Sequence, residues 1–391
     1  MLTISSHYFD VLESITNQDD TIDTKAEFGN ILQLALELEF STIPPYLSAA
    51  YSLDATTNSS IRNLIVRIAK EEMLHMTAVG NVMNAIGIPP QLTNTQFIPE
   101  YPYLPTMLDM AGFEMNIQSF SRDKAVNESL VRDFFMRIEA PENPGVFPVA
   151  MDALEAVAPR PKTIGLFYEM IINIIENDKI PGLFDIAEAN AWKQLVAKPT
   201  FVSPGLVFPN FKPLNVDGTF KDYPLLAGYD LKVTDKTSAV KFLKGIVDEG
   251  EASSQHPIAA EGLAAHYYRF ESIVKKKNLI VDSSFPEQFA FSGQPLILDP
   301  SGVWEFDKIN PKEEDYTGVL RDKIHEFNLA YSSILQSLHA AFNAAKESDI
   351  EPAYIDSRDA MMALPKIAKD IKSIAIQEGK KGGLPFQYIA P

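Results

Sequence analysis

The stretch IRNLIVRIAKEEMLHMTAVGNVMNAIG, residues 61–87, predicts a long amphipathic helix. Its apolar residues recur at intervals of three and four and form one stripe: Ile65, Ile68, Val79, Val82 and Ile86. Glu72 and His75 occupy the two remaining positions of that stripe. The sequence therefore predicts that a carboxylate and an imidazole point into the core beside apolar side chains.

Glu72 and His75 are three residues apart, which places both side chains on one helix face about one turn from each other. A buried carboxylate or imidazole without a partner costs several kcal/mol, so each needs a counterpart or a metal ion. The Glu-x-x-His spacing is typical of carboxylate-bridged di-iron helix bundles. The alternative is an ordinary buried carboxylate–histidine pair without metal.

The preceding helix, predicted at about 24–53 with a bend or break at Pro44-Pro45, repeats this pattern. Glu39 lies on the face that carries Phe28, Leu32, Ala35 and Tyr46. Glu37 lies off that face, and we expect it to be solvated. Two neighbouring helices that each direct a carboxylate inward favour a shared cation such as iron or manganese.

Later segments supply further candidate ligands. In the predicted fourth helix, about 238–277 with an interruption at Pro257, the stripe favours Glu251 over Glu249, and His266 follows the same face as Phe270. In the third helix, about 163–177, Glu169 lies beside the apolar stripe. The predicted metal ligands are thus Glu39, Glu72, His75, Glu251, His266 and Glu169.

The arrangement of helical and proline-rich segments predicts one elaborated all-α domain over residues 1–391. Its bundle helices are expected at about 24–53, 58–86, 163–177 and 238–277. Proline-rich insertions span 89–161, with a helical piece near 128–138, and 200–234. Additional C-terminal helices are expected at about 316–346 and 356–377, after a short strand pair within 280–315.

The composition limits the kinds of partner and metal site that the protein can have. With 34 Lys and Arg against 52 Asp and Glu, the formal net charge is -18, which disfavours nucleic acid and anionic membranes as partners. The chain has no cysteine, so thiolate metal sites and disulfides are excluded. No stretch has the roughly 18 apolar residues of a membrane span, and the N-terminus lacks signal-peptide features. We expect a cytoplasmic protein, with a homodimer possible.

Several motifs along the chain resemble one known family. They are ALELEFSTIPPYLSAAYSL at 35–53, IAKEEMLHMTAVGNVMNAIG at 68–87, RIEAPE at 137–142, TIGLFYEMI at 163–171, IVDEGEAS at 246–253, AHYYRFESI at 265–273 and GGLPFQYI at 382–389. These motifs resemble the ferritin-like domain of iminophenyl-pyruvate dimer synthases, which is also found in violacein- and rebeccamycin-pathway proteins. The resemblance implies a ferritin-like four-helix bundle with long proline-rich insertions.

The same resemblance implies inward ligands at Glu39, Glu72, His75, Glu251 and His266. Two positions depart from the family pattern. Leu166 stands where the family often has an acid, whose role could pass to Glu169, and Leu263 stands where a second Glu-x-x-His would place its carboxylate. These departures leave a lopsided or single-metal site as an alternative to a symmetric pair.

The function expected from these features is that of a non-haem iron enzyme in specialised metabolism. It would oxidise or couple an aromatic or amino-acid-derived small molecule, and tyrosines near the ligands would shape an aromatic pocket or take part in proton or radical transfer. A metal-free helical scaffold is the main alternative, and iron storage is less favoured. Haem is the less favoured cofactor because the sequence contains no specific haem motif.

Overall fold

A computed structural model describes residues 4–17, 23–108, 113–141, 163–196, 231–250, 257–258, 264–281, 289–374, 376 and 380–391. Its helices, in chain order, are α1 Ser6–Thr16, α2 Thr24–Tyr51, α3 Ser59–Ala85, α4 Lys124–Ser129, α5 Met136–Ile138, α6 Ile164–Glu176, α7 Ala187–Asn190, α8 Lys236–Gly250, α9 His266–Lys275, α10 Gly318–Phe342 and α11 Ile350–Ser373. A π-helical turn, Leu130–Phe135, joins α4 to α5. The expected all-α class is confirmed.

Two helix pairs form the bundle that carries the buried polar residues. The long helices α2 and α3 pack against each other along their length, and α6 packs against α8. Helix α3 also contacts α8 and α9, and α9 packs against the π-helical turn and α5. Helices α8 and α9 therefore both lie against α3.

The pair α10 and α11 packs on the outside of the bundle, against α3 and α2 respectively. A glycine permits the α3–α10 contact, because a Cβ atom at Gly80 would lie only 2.7 Å from ring atoms of Phe342. The side-chain amide of Asn84 on α3 donates to the Phe342 carbonyl at 3.0 Å. The C-terminal helices are thus fixed directly to the back of α3.

The expected break at Pro44-Pro45 is wrong, because α2 continues through both prolines to Tyr51, and the bend stays a prediction. Proline lacks the N–H that would bond the carbonyl four residues earlier, so Pro45 leaves the Ser41 carbonyl without its helical donor. The Tyr101 hydroxyl donates to that carbonyl at 2.7 Å. An external donor thus replaces a helical hydrogen bond one turn from Glu39.

Other boundaries also differ from those expected. The pattern at 238–277 corresponds to two helices, α8 and α9, because the chain at Ala264 pairs with Ile258 as an isolated antiparallel bridge instead of continuing a helix. The strand pair expected within 280–315 consists of β1 Ile280–Val281 and β2 Phe289–Ala290. Within the predicted insertions, 109–112, 142–161 and 200–230 lie outside the described residues.

Candidate metal centre

Buried acids and histidines from five parts of the chain converge beside the middle of α3. Helix α2 contributes Glu39, α3 contributes Glu72 and His75, the turn after α5 contributes Glu139, and α9 contributes His266 at its first residue. Each of these side chains is buried. Two further buried carboxylates lie behind the imidazoles, Glu71 on α3 and Glu249 on α8.

The first half of the cluster is formed by Glu39, Glu72 and His75. His75 Nδ1 lies 3.3 Å from Glu39 Oε2 and 3.9 Å from Glu72 Oε1. On the other edge of the ring, His75 Nε2 lies 3.0 Å from Glu249 Oε2. His75 therefore presents one nitrogen to the cluster centre and is oriented by a carboxylate behind it.

The second half repeats this arrangement with Glu139, Glu72 and His266. His266 Nδ1 lies 2.7 Å from Glu72 Oε1 and 3.5 Å from Glu139 Oε2, and His266 Nε2 lies 3.0 Å from Glu71 Oε2. The two imidazoles are stacked, with ring centroids 5.4 Å apart. Both halves share Glu72, whose second oxygen, Oε2, accepts a hydrogen bond from Thr42 at 3.1 Å.

The carboxylate behind His266 is held by two guanidinium groups. Glu71 Oε2 lies 2.5 Å from Arg269 Nη2, and Glu71 Oε1 lies 3.0 Å from Arg67 Nε. Burial would raise the pKa of the Glu71 carboxyl, but the charges of Arg269 and His266 outweigh burial and hold the pKa well below its usual range. Glu71 is therefore an anion that orients His266.

The imidazoles hold protons in the absence of metal. Burial opposes the charge on His75, but hydrogen bonds to Glu249 and Glu39 outweigh burial and raise its pKa to about 10. The pKa of His266 is likewise raised well above its usual value by Glu139, Glu71 and Glu72. Burial and the neighbouring Glu139 charge raise the pKa of Glu72 to about 7. Protons thus neutralise carboxylates that a cation would otherwise neutralise.

The donor set fits a metal ion better than a complete hydrogen-bond network. His266 Nδ1 is buried and makes no well-aligned hydrogen bond within the described part of the chain, although two carboxylates lie beside it. Two sets of ligand atoms, Glu39–Glu72–His75 and Glu72–Glu139–His266, each lie within 4.8 Å of one another. Carboxylate oxygen and imidazole nitrogen are ligands that iron accepts. These buried groups could hold a metal.

A small cavity of about 40 Å³ opens onto the cluster. Its polar lining includes Glu39, Glu72, His75, Glu139 and Tyr168, and its apolar lining includes Leu38, Ile138, Ile164, Ile246 and Val247. A water molecule needs roughly 10–15 Å³ on this measure, so the cavity holds a few waters or one diatomic molecule.

The predicted ligands have different outcomes. Glu39, Glu72, His75 and His266 are brought together, whereas Glu169 is exposed on α6 and does not line the cavity. The structure therefore does not bring Glu169 to the cluster, because α6 turns the neighbouring Tyr168 inward instead. Glu251 lies outside the described residues.

Sequence reasoning missed other members of the cluster. Glu139 has no helical stripe to mark it, since it follows a π-helical turn, and only its place in the RIEAPE motif could have drawn attention to it. Glu249, the less favoured alternative on α8, contacts His75. Glu37 was expected to be solvated but is buried, where it accepts hydrogen bonds from Tyr103 and Thr106.

The family to which the chain belongs is consistent with a metal site in this cluster. A family model described as ferritin-like matches residues 32–275, and the chain therefore belongs to the ferritin-like family. Members of this family commonly bind iron. No helix among the described residues combines the length and apolar character needed to cross a bilayer.

Comparison with individual proteins adds little beyond the family. No curated protein matches the chain. A solved structure described as a ferritin-like protein from Caulobacter vibrioides is similar to it, with 20% sequence identity and a TM-score of 0.48, over 93% of this chain and 97% of that chain. The residues of the site therefore carry the functional argument.

Proposed function

We propose that the chain is a non-haem iron enzyme that oxidises or couples an aromatic or amino-acid-derived small molecule, as the iminophenyl-pyruvate dimer synthases it resembles would suggest. One observation supports a two-iron centre above all others. Glu72 belongs to both buried ligand groups, and a carboxylate shared in this way is suited to bridge two ions.

The residues divide into ligands and supports. Glu39 and His75 would hold one ion, Glu139 and His266 the other, and Glu72 both. Glu249 and Glu71 orient the two imidazoles through the nitrogen that faces away from the centre, which is a common feature of metal-bound histidines. When bound, iron supplies redox chemistry with dioxygen or peroxide.

The size and lining of the cavity favour different positions for the oxidant and the organic substrate. Its volume of about 40 Å³ suits dioxygen or peroxide next to Glu39 and Glu72, and is too small for an aromatic ring. Its apolar lining includes Ile164 and Ile246, from α6 and α8. We therefore place the organic substrate outside the inner cavity, on the apolar side, with water limited at the ligands.

Metal analysis tests the proposal directly. Purified protein is loaded anaerobically with ferrous iron, desalted, and compared with Glu72→Gln and with Glu169→Gln, which removes an exposed acid from α6. We expect about two irons per wild-type chain, two in Glu169→Gln, and a loss of both in Glu72→Gln, whose far-ultraviolet circular dichroism should stay unchanged.

The same experiment has a clear opposite outcome. Wild-type protein that takes up no stoichiometric iron overturns the enzyme proposal and favours a metal-free scaffold with a buried ion-pair cluster. Iron that remains in Glu72→Gln overturns the shared-ligand assignment. Loaded protein is then screened for oxygen consumption with aromatic imino acids and their amino-acid precursors, where a rate that depends on Glu72 supports the substrate class.

A further inference from the structure

Two buried tyrosines occupy matching places on opposite sides of the cluster. The Tyr168 hydroxyl on α6 donates to Glu39 Oε1 at 2.5 Å, and the Tyr46 hydroxyl on α2 donates to Glu139 Oε1 at 2.5 Å. Both tyrosines are fully buried. The two outer carboxylates of the cluster are therefore each held by one phenol.

The hydrogen bonds divide each carboxylate into two oxygens with different partners. On Glu39, Oε1 contacts Tyr168 and Oε2 faces His75 Nδ1. On Glu139, Oε1 contacts Tyr46 and Oε2 faces His266 Nδ1. In both cases the oxygen that faces the cluster centre is the one that the phenol leaves available.

The phenols are themselves fixed by packing. Tyr46 packs against Phe135 and Phe270, with ring centroids 4.9 and 5.1 Å away, and Tyr168 packs against Phe167 at 6.0 Å. A rigid donor of this kind holds a carboxylate in one orientation.

We propose that Tyr168 and Tyr46 are positioning residues that restrict Glu39 and Glu139 to binding through a single oxygen each. This inference rests on the proposed iron function and deepens it. A carboxylate that binds through both oxygens fills two coordination positions of an ion, whereas one held by a phenol fills one. The tyrosines thus keep a position at each ion open, and Tyr168 does so at the wall of the cavity.

Cobalt(II) provides a probe of both occupancy and coordination number, because its visible absorption weakens as the number of ligands rises. Tyr168→Phe and Tyr46→Phe are titrated with cobalt beside wild type. Tyr331→Phe is the matched control, since its buried hydroxyl has no hydrogen-bond partner among the described residues. We expect each of the first two variants to bind one of the two cobalt ions about 10–100-fold more weakly than wild type does, and to show weaker visible bands. The control should behave as wild type.

A crossed design separates positioning from a general loss of stability. His266→Ala keeps the group Glu39–Glu72–His75, and His75→Ala keeps Glu72–Glu139–His266. Combined with His266→Ala, Tyr168→Phe should lower the affinity for the remaining cobalt ion. Combined with His75→Ala, it should leave the affinity for cobalt unchanged. Tyr46→Phe should show the reverse pattern. A destabilised fold would weaken both equally.

The results distinguish the two proposals. Wild type that binds no cobalt and no iron defeats the iron function and the positioning role together. Wild type that binds two ions, with affinities and spectra in Tyr168→Phe and Tyr46→Phe equal to those of Tyr331→Phe, overturns the positioning role alone and leaves the iron function standing.

Discussion

Two pairs of long helices lie next to each other in this molecule, and only one pair buries charge. Helices α2 and α3 bury Glu37, Glu39, Glu71, Glu72 and His75. Helices α10 and α11, which are nearly as long, bury as polar residues only the neutral Asn328, Ser332 and Ser357. Both pairs pack through apolar stripes, so the stripes predict the fold. The ionisable residues within the stripes of α2 and α3 predict the site.

The two pairs also use histidine differently. In α10, His325 and Glu326 are exposed, and His325 contacts Glu313 at 3.1 Å on the surface. In α3, His75 is 1% exposed and lies among Glu39, Glu72 and Glu249. A surface ion pair contributes little to stability, whereas a buried cluster of this kind requires protons or a cation.

The largest effect is expected from a substitution that removes a ligand, not from one that removes an apolar contact. His75→Ala should lower iron from about two ions per chain to one or none, because the group Glu39–Glu72–His75 loses its only nitrogen donor. His325→Ala should keep the wild-type content. Iron and protein are quantified on the same desalted samples. Equal iron in both variants would remove the distinction between the two helix pairs.

The second prediction concerns the outer helix pair, where a substitution should change stability and not metal content. Phe327 in α10 is fully buried and packs edge-on against Phe386, with ring centroids 4.9 Å apart. Phe327→Ala should lower the free energy of unfolding by about 3–5 kcal/mol, because it leaves a cavity in an apolar interface. Iron per folded chain should remain that of wild type. A parallel loss of iron, measured before denaturant titration, would show that the outer pair supports the site.

Sequence reasoning succeeded where regular helices carry the ligands. Glu39, Glu72 and His75 interrupt apolar stripes in unbroken helices, so the 3.6-residue period places them inward. Glu37 failed this test because α2 is buried on nearly all sides, where position on a stripe no longer separates buried from exposed residues.

The rest of the site depends on tertiary structure that a local pattern does not encode. Glu139 lies after a π-helical turn, whose period differs from 3.6, so no apolar stripe marks it. His266 was predicted from the stripe through Phe270, although it starts a new helix instead of continuing an old one. Glu71 is adjacent to Glu72 and was not singled out, because its role depends on Arg269 from α9. Glu139 and the support that Glu71 gives to His266 therefore emerge only when distant segments meet.

The third prediction concerns a residue behind the ligands. Glu249→Gln removes the charge that orients His75 and should weaken iron or cobalt binding about 10–100-fold without changing the number of ions at saturation. Glu176→Gln, which breaks the exposed pair with Lys244 between α6 and α8, is the matched control and should have no effect on affinity. Affinities come from competition with a chelator. A Glu249→Gln affinity equal to that of the control would show that His75 needs no orienting carboxylate.

The smallest expected effect concerns Glu37, the buried acid of α2 that lies outside the metal cluster. Burial raises the pKa of its carboxyl above the ordinary 4.5, although hydrogen bonds from Tyr103 and Thr106 oppose this shift. An acid whose pKa is raised on folding stabilises the fold when protonated. Its contribution is therefore complete below about pH 4.5 and is lost as pH rises through the folded pKa.

Glu37→Gln keeps the acceptor for Tyr103 and cannot ionise, so its stability relative to wild type should increase between pH 4 and pH 7. Urea titrations with chelator present measure this difference without metal. Glu114→Gln, at an exposed position, should show no such change. A difference between Glu37→Gln and wild type that is constant with pH would mean that Glu37 is stabilised as an anion. The burial of charge in α2 would then extend beyond the metal cluster.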